Sequence, residues 1–424
     1  MNEEVKDKLE DCHTDSELLT QFHKNTPQLR FSGFDDDWEE KKLNEYLEPS
    51  KQKNLDNKYS KNDVLSVSGE FGIVNQIEFQ GRSFAGEYVN NYGVVETKDI
   101  VYTKSPLNAN PYGIIKSNFG KTGIVSTLYA VYKSKNNVDP CFIQTYFDLN
   151  KRLNDYLRPL VRKGAKNDMK VSSEDALLGN VVFPSKLEQQ KIGTFLSHVD
   201  SLIQAKTKKL ENLKSVKKSL LQKCFPKEGE KVPEMRFAGF SGDWEEMKLG
   251  EVCEINPSSN LPSVFEYVDL ESVLGSEMIS HRTEFKNNAP SRAQRLAKKG
   301  DVFYQTVRPY QKNNYLFELD FTNYVFSTGY AQLRPKEINS KFLMCQIQSD
   351  TFVNMVLEKC TGTSYPAINS TELSGISLLV SNDFIEQQKI GQFFSKYDSL
   401  ISAQQKEIDK LKDIKKSLLQ KMFV

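Results

Sequence analysis

Cysteine, histidine and tryptophan are all scarce in this 424-residue sequence, and each scarcity narrows the chemistry. Its six cysteines (Cys12, Cys141, Cys224, Cys253, Cys345, Cys360) stand far apart, with no CxxC pair and no zinc-type spacing. They form neither a disulfide framework nor a metal motif and read as reduced cytoplasmic thiols. Four histidines (His13, His23, His198, His281), two of them in the first 25 residues, leave little for imidazole catalysis or metal binding. No stretch approaches the ~20 apolar residues of a membrane helix, and the opening MNEEVKDKLEDCHTD has no apolar signal core. An excess of one charge is missing too: 57 Lys and Arg against 56 Asp and Glu give +1, which excludes a uniformly basic nucleic-acid binder.

Catalytic motifs are equally hard to find. Asn110-Pro111-Tyr112 lacks the second proline of an amino-methyltransferase loop, and no Gly-rich strand-to-helix turn precedes it; NANPYG reads as a turn. Gly120-Lys121-Thr122 lacks the upstream glycine of a phosphate-binding loop. No Asp…Glu-x-Lys trio marks a nuclease. His198 is answered by Lys396 in the repeat described next and reads as a helix-surface residue.

What the sequence does have is duplication, which is sought first because it decides the fold. Pro27–Leu43, PQLRFSGFDDDWEEKKL, matches Pro233–Leu249, PEMRFAGFSGDWEEMKL, at 11 of 17 positions, including both tryptophans, Trp38 and Trp244. Glu188–Phe225 matches Glu386–Phe423 at 24 of 38 positions. Between these anchors Asp99-Ile-Val-Tyr102 answers Asp301-Val-Phe-Tyr304, and Gly164 answers Gly362. At roughly 100–200 residues per domain the length allows two to four domains. The repeats divide it into an acidic segment 1–26, a module 27–184, a helix and linker 185–232, a second module 233–382 and a second helix 383–424.

Both helices carry start signals, Ser185-x-x-Glu188 and Asp383-x-x-Glu386. Apolar residues recur at heptad spacing: Ile192, Val199, Leu213 and Leu220, with Phe195, Leu202 and Val216 as the partner row. The second copy offers Ile390, Tyr397, Leu411 and Leu418, with Phe393, Leu400 and Ile414. A helix of this length spans roughly 57 Å at ~1.5 Å per residue, too long to bury its stripe alone, so the two are expected to pair as a coiled coil. Each module mixes short β-rich runs (Asp99–Thr103, Gly123–Tyr132, Asp301–Val307, Tyr324–Leu333) with a helical pattern (Pro140–Leu157, Ser340–Lys359). The fold class is α+β.

Charge is segregated. Residues 1–26 carry −4, residues 98–170 carry +8 and residues 282–312 carry +6. Basic and polar side chains of the two modules are therefore candidate DNA contacts, since Arg and Lys neutralise phosphates while Arg, Asn, Ser and Thr read base edges. In the first module they are Lys104, Lys116, Lys121, Arg162, Lys163, Lys166 and Asn167. In the second they are Arg282, Arg292, Arg295, Arg308, Tyr310, Lys312, Thr363, Ser364 and Tyr365. The helices are nearly copied while the module interiors differ, which implies two unlike readers on one frame and a two-part asymmetric target. Successive major grooves on one face of DNA lie about 34–36 Å apart, within reach of such a rod. A stand-alone modification enzyme and a coiled-coil scaffold without a DNA role are the alternatives.

The twin PxxRFxGFxxxWEExKL openings, the twin Glu-Gln-Gln-Lys-Ile-Gly helix starts at 188–193 and 386–391, and the order module, helix, module, helix resemble the specificity subunit of type I restriction–modification systems. The resemblance runs from Pro27 to Val424. It departs at the helix approaches, where Val182-Phe183-Pro184 keeps one proline and Leu379–Asp383 none. It implies two pseudo-symmetric α+β target-recognition domains separated by a long antiparallel coiled coil. Each domain would read one half of a bipartite site in double-stranded DNA. Two methyltransferase subunits carrying S-adenosylmethionine would dock on the frame and methylate adenine, and two restriction motor-nuclease subunits using ATP and Mg would join them. The chain itself would bind no cofactor or metal, carry no catalytic residue and reside in the cytoplasm.

Overall fold

The computed structural model describes residues 25–163, 169–362 and 364–424. The chain divides into two compact units: residues up to 205 with 408–424, and residues 206–407. Each therefore owns one module, part of one long helix and part of the other.

The helices used below are α1 (Pro140–Phe147), α2 (Asn150–Leu157), α3 (Lys186–Cys224), α4 (Ser340–Ile347), α5 (Asp350–Lys359) and α6 (Phe384–Lys421). The runs Pro140–Leu157 and Ser340–Lys359, read from sequence as single helices, are each broken in two. Leu149 and Ser349 take extended φ/ψ between the pieces, and the Ser349 hydroxyl caps the new N-terminus by accepting from Phe352 N–H. The expected strands Gly123–Tyr132 and Tyr324–Leu333 are likewise interrupted, giving Gly123–Val125 with Tyr129–Ser134 and Tyr324–Ser327 with Tyr330–Pro335.

In the first unit an antiparallel sheet runs in the order Leu47–Pro49, Tyr129–Ser134, Ile100–Thr103, Ile115–Ser117. The second repeats it with Cys253–Ile255, Tyr330–Pro335, Val302–Gln305, Tyr315–Leu316. The strands on either side of each module also pair, Glu39–Lys42 with Asn180–Phe183 and Glu245–Lys248 with Ser377–Val380. Beyond this frame the units part company. The second has a further four-stranded sheet, Arg282–Phe285, Val264–Val268, Tyr324–Ser327, Ala293–Leu296, with one parallel pair. The first has separate two-stranded pairs, Leu65–Ser68 with Gly72–Asn75 and Gly93–Val95 with Gly123–Val125.

Within each unit the two helix segments run antiparallel. Asp200 of α3 meets Lys415 of α6 in the first, and Lys217 of α3 meets Asp398 of α6 in the second. These are the same two repeat positions with the copies exchanged. The buried seam differs from the sequence reading by one residue. Ile192, Val199, Leu213, Leu220 and their counterparts Ile390, Tyr397, Leu411, Leu418 are buried or half-buried. The partner row is Leu196, Ile203, Leu210, Lys217, Cys224 and Phe394, Ile401, Ile408, Lys415, Met422. Phe195, Leu202 and Val216, with Leu400 and Ile414, instead stand 38–55% exposed, and Phe393 is half-buried. A lysine at one position of each true row hid it from a search for apolar residues alone.

Candidate nucleic-acid interface

The repeated motifs build the frame that carries the interface. Arg30 donates through Nε and Nη2 to Glu188 at 2.8 and 2.9 Å, and Arg236 does the same to Glu386 at 2.6 and 2.9 Å. Both glutamates are buried, and such a fork is the strong form of ion pair. Each ties the opening segment of its module to a helix start, so the apparent capping-box glutamates are engaged with arginines. Glu188 pulls the Arg30 guanidinium pKa up. The next residue holds α1 or α4: Gln189 accepts from Asp139 N–H at 3.0 Å, and Gln387 from Asn339 N–H at 2.8 Å. Ile192 and Ile390 fill the cores, and Gly193 and Gly391 lie against the helices. A Cβ at Gly193 would meet Phe142 N at 2.8 Å, and one at Gly391 would meet Lys341 Cβ at 2.6 Å. The opposite helix end closes each core: Phe423 packs edge-on against Trp38, and Phe225 against Trp244.

On this frame the second module joins two loops into one projection. Arg308 N–H donates to Pro366 O, Ile368 N–H to Thr306 O, and Ala367 bridges both Val307 and Thr361. Arg308 and Lys312 take left-handed backbone (φ 54° and 55°) around the turn Pro309–Gln311. Gln305 braces that turn, its amide donating to Val307 O and Gln311 Oε1. The Arg308 guanidinium lies 4.3 Å from the centroid of the Tyr365 ring, a cation–π contact. Tyr310, Ser364 and Tyr365 are exposed around it. Sequence reasoning named all four separately; the loop bridges bring the two segments together.

Several other candidates do not present a free charge. Lys116 is buried and paired with Asp148 at 2.5 Å, and Lys312 pairs with Asp350 at 2.6 Å while donating to Gln348 O. Both are structural ties, so their reading as phosphate contacts is corrected. Arg282 is shared between Asp269 and Glu284, with its guanidinium over Tyr267. Arg295 is half-buried with Nε lacking a partner, and burial pulls its pKa down; burial does the same to Lys104. Lys121, Arg162 and Arg292 are exposed. Arg162–Lys163 pairs with Met169–Lys170 as a small hairpin. Lys166, Asn167 and Thr363 lie outside the described residues, as does most of the acidic segment 1–26. Asn110–Gly113 is a turn, with Gly113 N–H donating to Asn110 O.

Exposed aromatics of the first module escaped the sequence search, which followed charge. Phe71 and Phe79 pack 5.2 Å apart, and Arg82 sits 4.7 Å over Phe84. Their only signal was aromatic residues inside a Gly-punctuated run. Among the described residues no three His, Cys, Asp or Glu side chains gather into a metal site. Nor is any described helix long and apolar enough to cross a membrane.

Residues 241–413 match the family model of the type I restriction modification DNA specificity domain. The chain is similar to type I specificity subunits. It is 22% identical to the MjaVIII specificity subunit of Methanocaldococcus jannaschii over 95% of this chain and 96% of that one. It is 28% identical to the HindI specificity subunit of Haemophilus influenzae, over 43% of this chain and only 41% of that one. The fold matches the crystal structure of an S subunit from M. genitalium at TM-score 0.56 and 16% identity, over 94% of this chain and 99% of that one.

Proposed function

We propose that this chain is a specificity subunit that reads a bipartite, asymmetric DNA site, one half with each module, and supplies no catalytic group itself. The observation that carries the reading is the contrast within the duplication. Arg–Glu clasp, Gln brace, glycine approach and inner sheet recur in both units, whereas the outer strands and loops differ. A shared frame with unlike outer surfaces suits two different sequences. The projection formed by Arg308, Tyr310, Ser364 and Tyr365 has the chemistry for one of them: a guanidinium to bond a guanine edge, a hydroxyl, and aromatic faces. The exposed rows Leu202, Val216 and Leu400, Ile414 would dock two methyltransferase subunits, which carry S-adenosylmethionine and methylate adenine. Two restriction subunits would bring ATP, Mg and cleavage. The spacer helices would set the gap between half-sites, and the complex would work in the cytoplasm.

The test is methylation of a library of two-part sites by the chain assembled with its methyltransferase. Replacing Arg308 and Tyr365 by alanine should weaken discrimination at the half-site read by the second module by about 10–100-fold, the worth of one bidentate base contact. The other half-site should stay unchanged. Equal loss at both halves, or methyl transfer by the isolated chain, would refute the reading.

A further inference from the structure

In the first unit the C-terminal end of α1 carries a buried carboxylate that touches the module sheet and a spacer helix at once. Asp148 accepts from Lys116, on the sheet strand Ile115–Ser117, at 2.5 Å and from Lys415 of α6 at 2.8 Å. Lys415 reaches on to Asp200 of α3 at 2.7 Å. Four charges thus join sheet, α1 and both spacer helices, and the Asp148 side chain is only 7% exposed. The second unit splits these jobs. Lys217 and Asp398 join the two helices, while a separate aspartate, Asp350 at the start of α5, joins Lys312 of the module to Lys218 of α3 at 2.6 and 3.0 Å. Asp350 is 45% exposed.

We propose that Asp148 is a positioning residue which fixes the stance of the first reading module on its helix pair, so that this module tolerates little variation in half-site spacing. The second, tied through exposed charges, is the more forgiving. The physical ground is the difference in surroundings. A buried, doubly paired carboxylate has one satisfactory geometry, because displacement strands the Lys116 ammonium away from water and leaves Lys415 with Asp200 alone. An exposed pair exchanges its partner for water at little cost. Nothing in the repeated motifs requires the asymmetry, since Lys217 and Lys415 are the same repeat position. It arises from where each module places its aspartate: after α1 in one and at the first residue of α5 in the other.

The proposal rests on the bipartite reading above, and the test keeps the two apart. The chain, assembled with its methyltransferase, is given sites whose two halves are separated by the native gap, one base pair fewer or one more. Wild type should prefer the native gap; no preference at all would defeat both the bipartite reading and this inference. Asp148→Asn should reduce the preference by about tenfold, whereas Asp350→Asn should leave it within about twofold. Equal loss at every gap would show Asp148 to be merely structural and overturn the proposal, as would the same change in both variants. Asp148→Glu keeps the charge while lengthening the arm by one methylene, so it serves where the asparagine variant does not fold. It should shift the preferred gap or broaden it, and an unaltered preference in that variant also overturns the proposal.

Discussion

At the scale of single residues, the signature Glu-Gln-Gln-Lys-Ile-Gly is a set of four contacts. Its glutamate forks with an arginine at the start of the module, and its first glutamine holds the N-terminus of α1 or α4. Its isoleucine enters the core, and its glycine admits a helix backbone. The glycine makes a sharp prediction, because alanine is the better helix former by about 0.8–1.0 kcal/mol and would stabilise a free helix. Here the added Cβ would fall 2.8 Å from Phe142 N and 2.9 Å from Cys141 Cβ, backbone-anchored atoms with nowhere to retreat. Gly193→Ala should therefore lower stability by about 1–3 kcal/mol, the cost of overpacking, in denaturant unfolding of the full chain. A gain in stability would mean the contact is slack. The motif was visible in the sequence; what it touches was not, since Arg30 and Glu188 are 158 residues apart. Lys116 and Lys312 misled for the same reason: a lysine in a basic segment looks free until the fold supplies its aspartate.

Among the elements, the long helices were the most legible, because duplication, start signals and heptad spacing all agreed. The choice of buried row was not. A lysine in a coiled-coil seam is costly, and antiparallel registers that leave it unpaired are excluded, so Lys217 and Lys415 specify alignment as well as occupy it. The displaced apolar residues become informative. Leu202 is 45% and Leu400 55% exposed on polar helices, at equivalent positions of the two copies. If they form the methyltransferase docking rows, Leu202→Glu with Leu400→Glu should leave the unfolding midpoint nearly unchanged, since surface substitutions usually fall within about 0.5 kcal/mol. Assembly with the methyltransferase, followed by size-exclusion chromatography or calorimetry, should weaken by at least about 30-fold, roughly 2 kcal/mol. Undiminished assembly would free these rows from that role. The inner strands were also readable as apolar runs, whereas the second module's outer sheet pairs Val264–Val268 with Tyr324–Ser327 in parallel across long loops, which no local pattern encodes.

For the whole molecule, duplication means two cores that share motifs but differ in how charge is buried, and acid should tell them apart. Burial alone would raise the Asp148 pKa, but Lys116 and Lys415 outweigh it and hold the carboxyl below its usual range. A carboxylate depressed in the folded state contributes stability above its unfolded pKa of about 3.9, and that contribution disappears as pH falls through the lower folded value. Asp350 is depressed as well, but its partners meet it in solvent, where screening shrinks the effect on stability. The two tryptophans report separately, Trp38 from the first unit and Trp244 from the second. In a Trp244→Phe chain, urea unfolding followed through Trp38 should lose stability steeply as pH falls from about 5 towards 2. Asp148→Asn should flatten that decline while lowering stability at neutral pH by about 3–5 kcal/mol, the cost of leaving a buried charge without its partner. In a Trp38→Phe chain, Asp350→Asn should shift neither the neutral stability nor the slope by more than about 1 kcal/mol. An unchanged acid slope in the Asp148→Asn chain would show that the buried tie does not govern the first unit's stability.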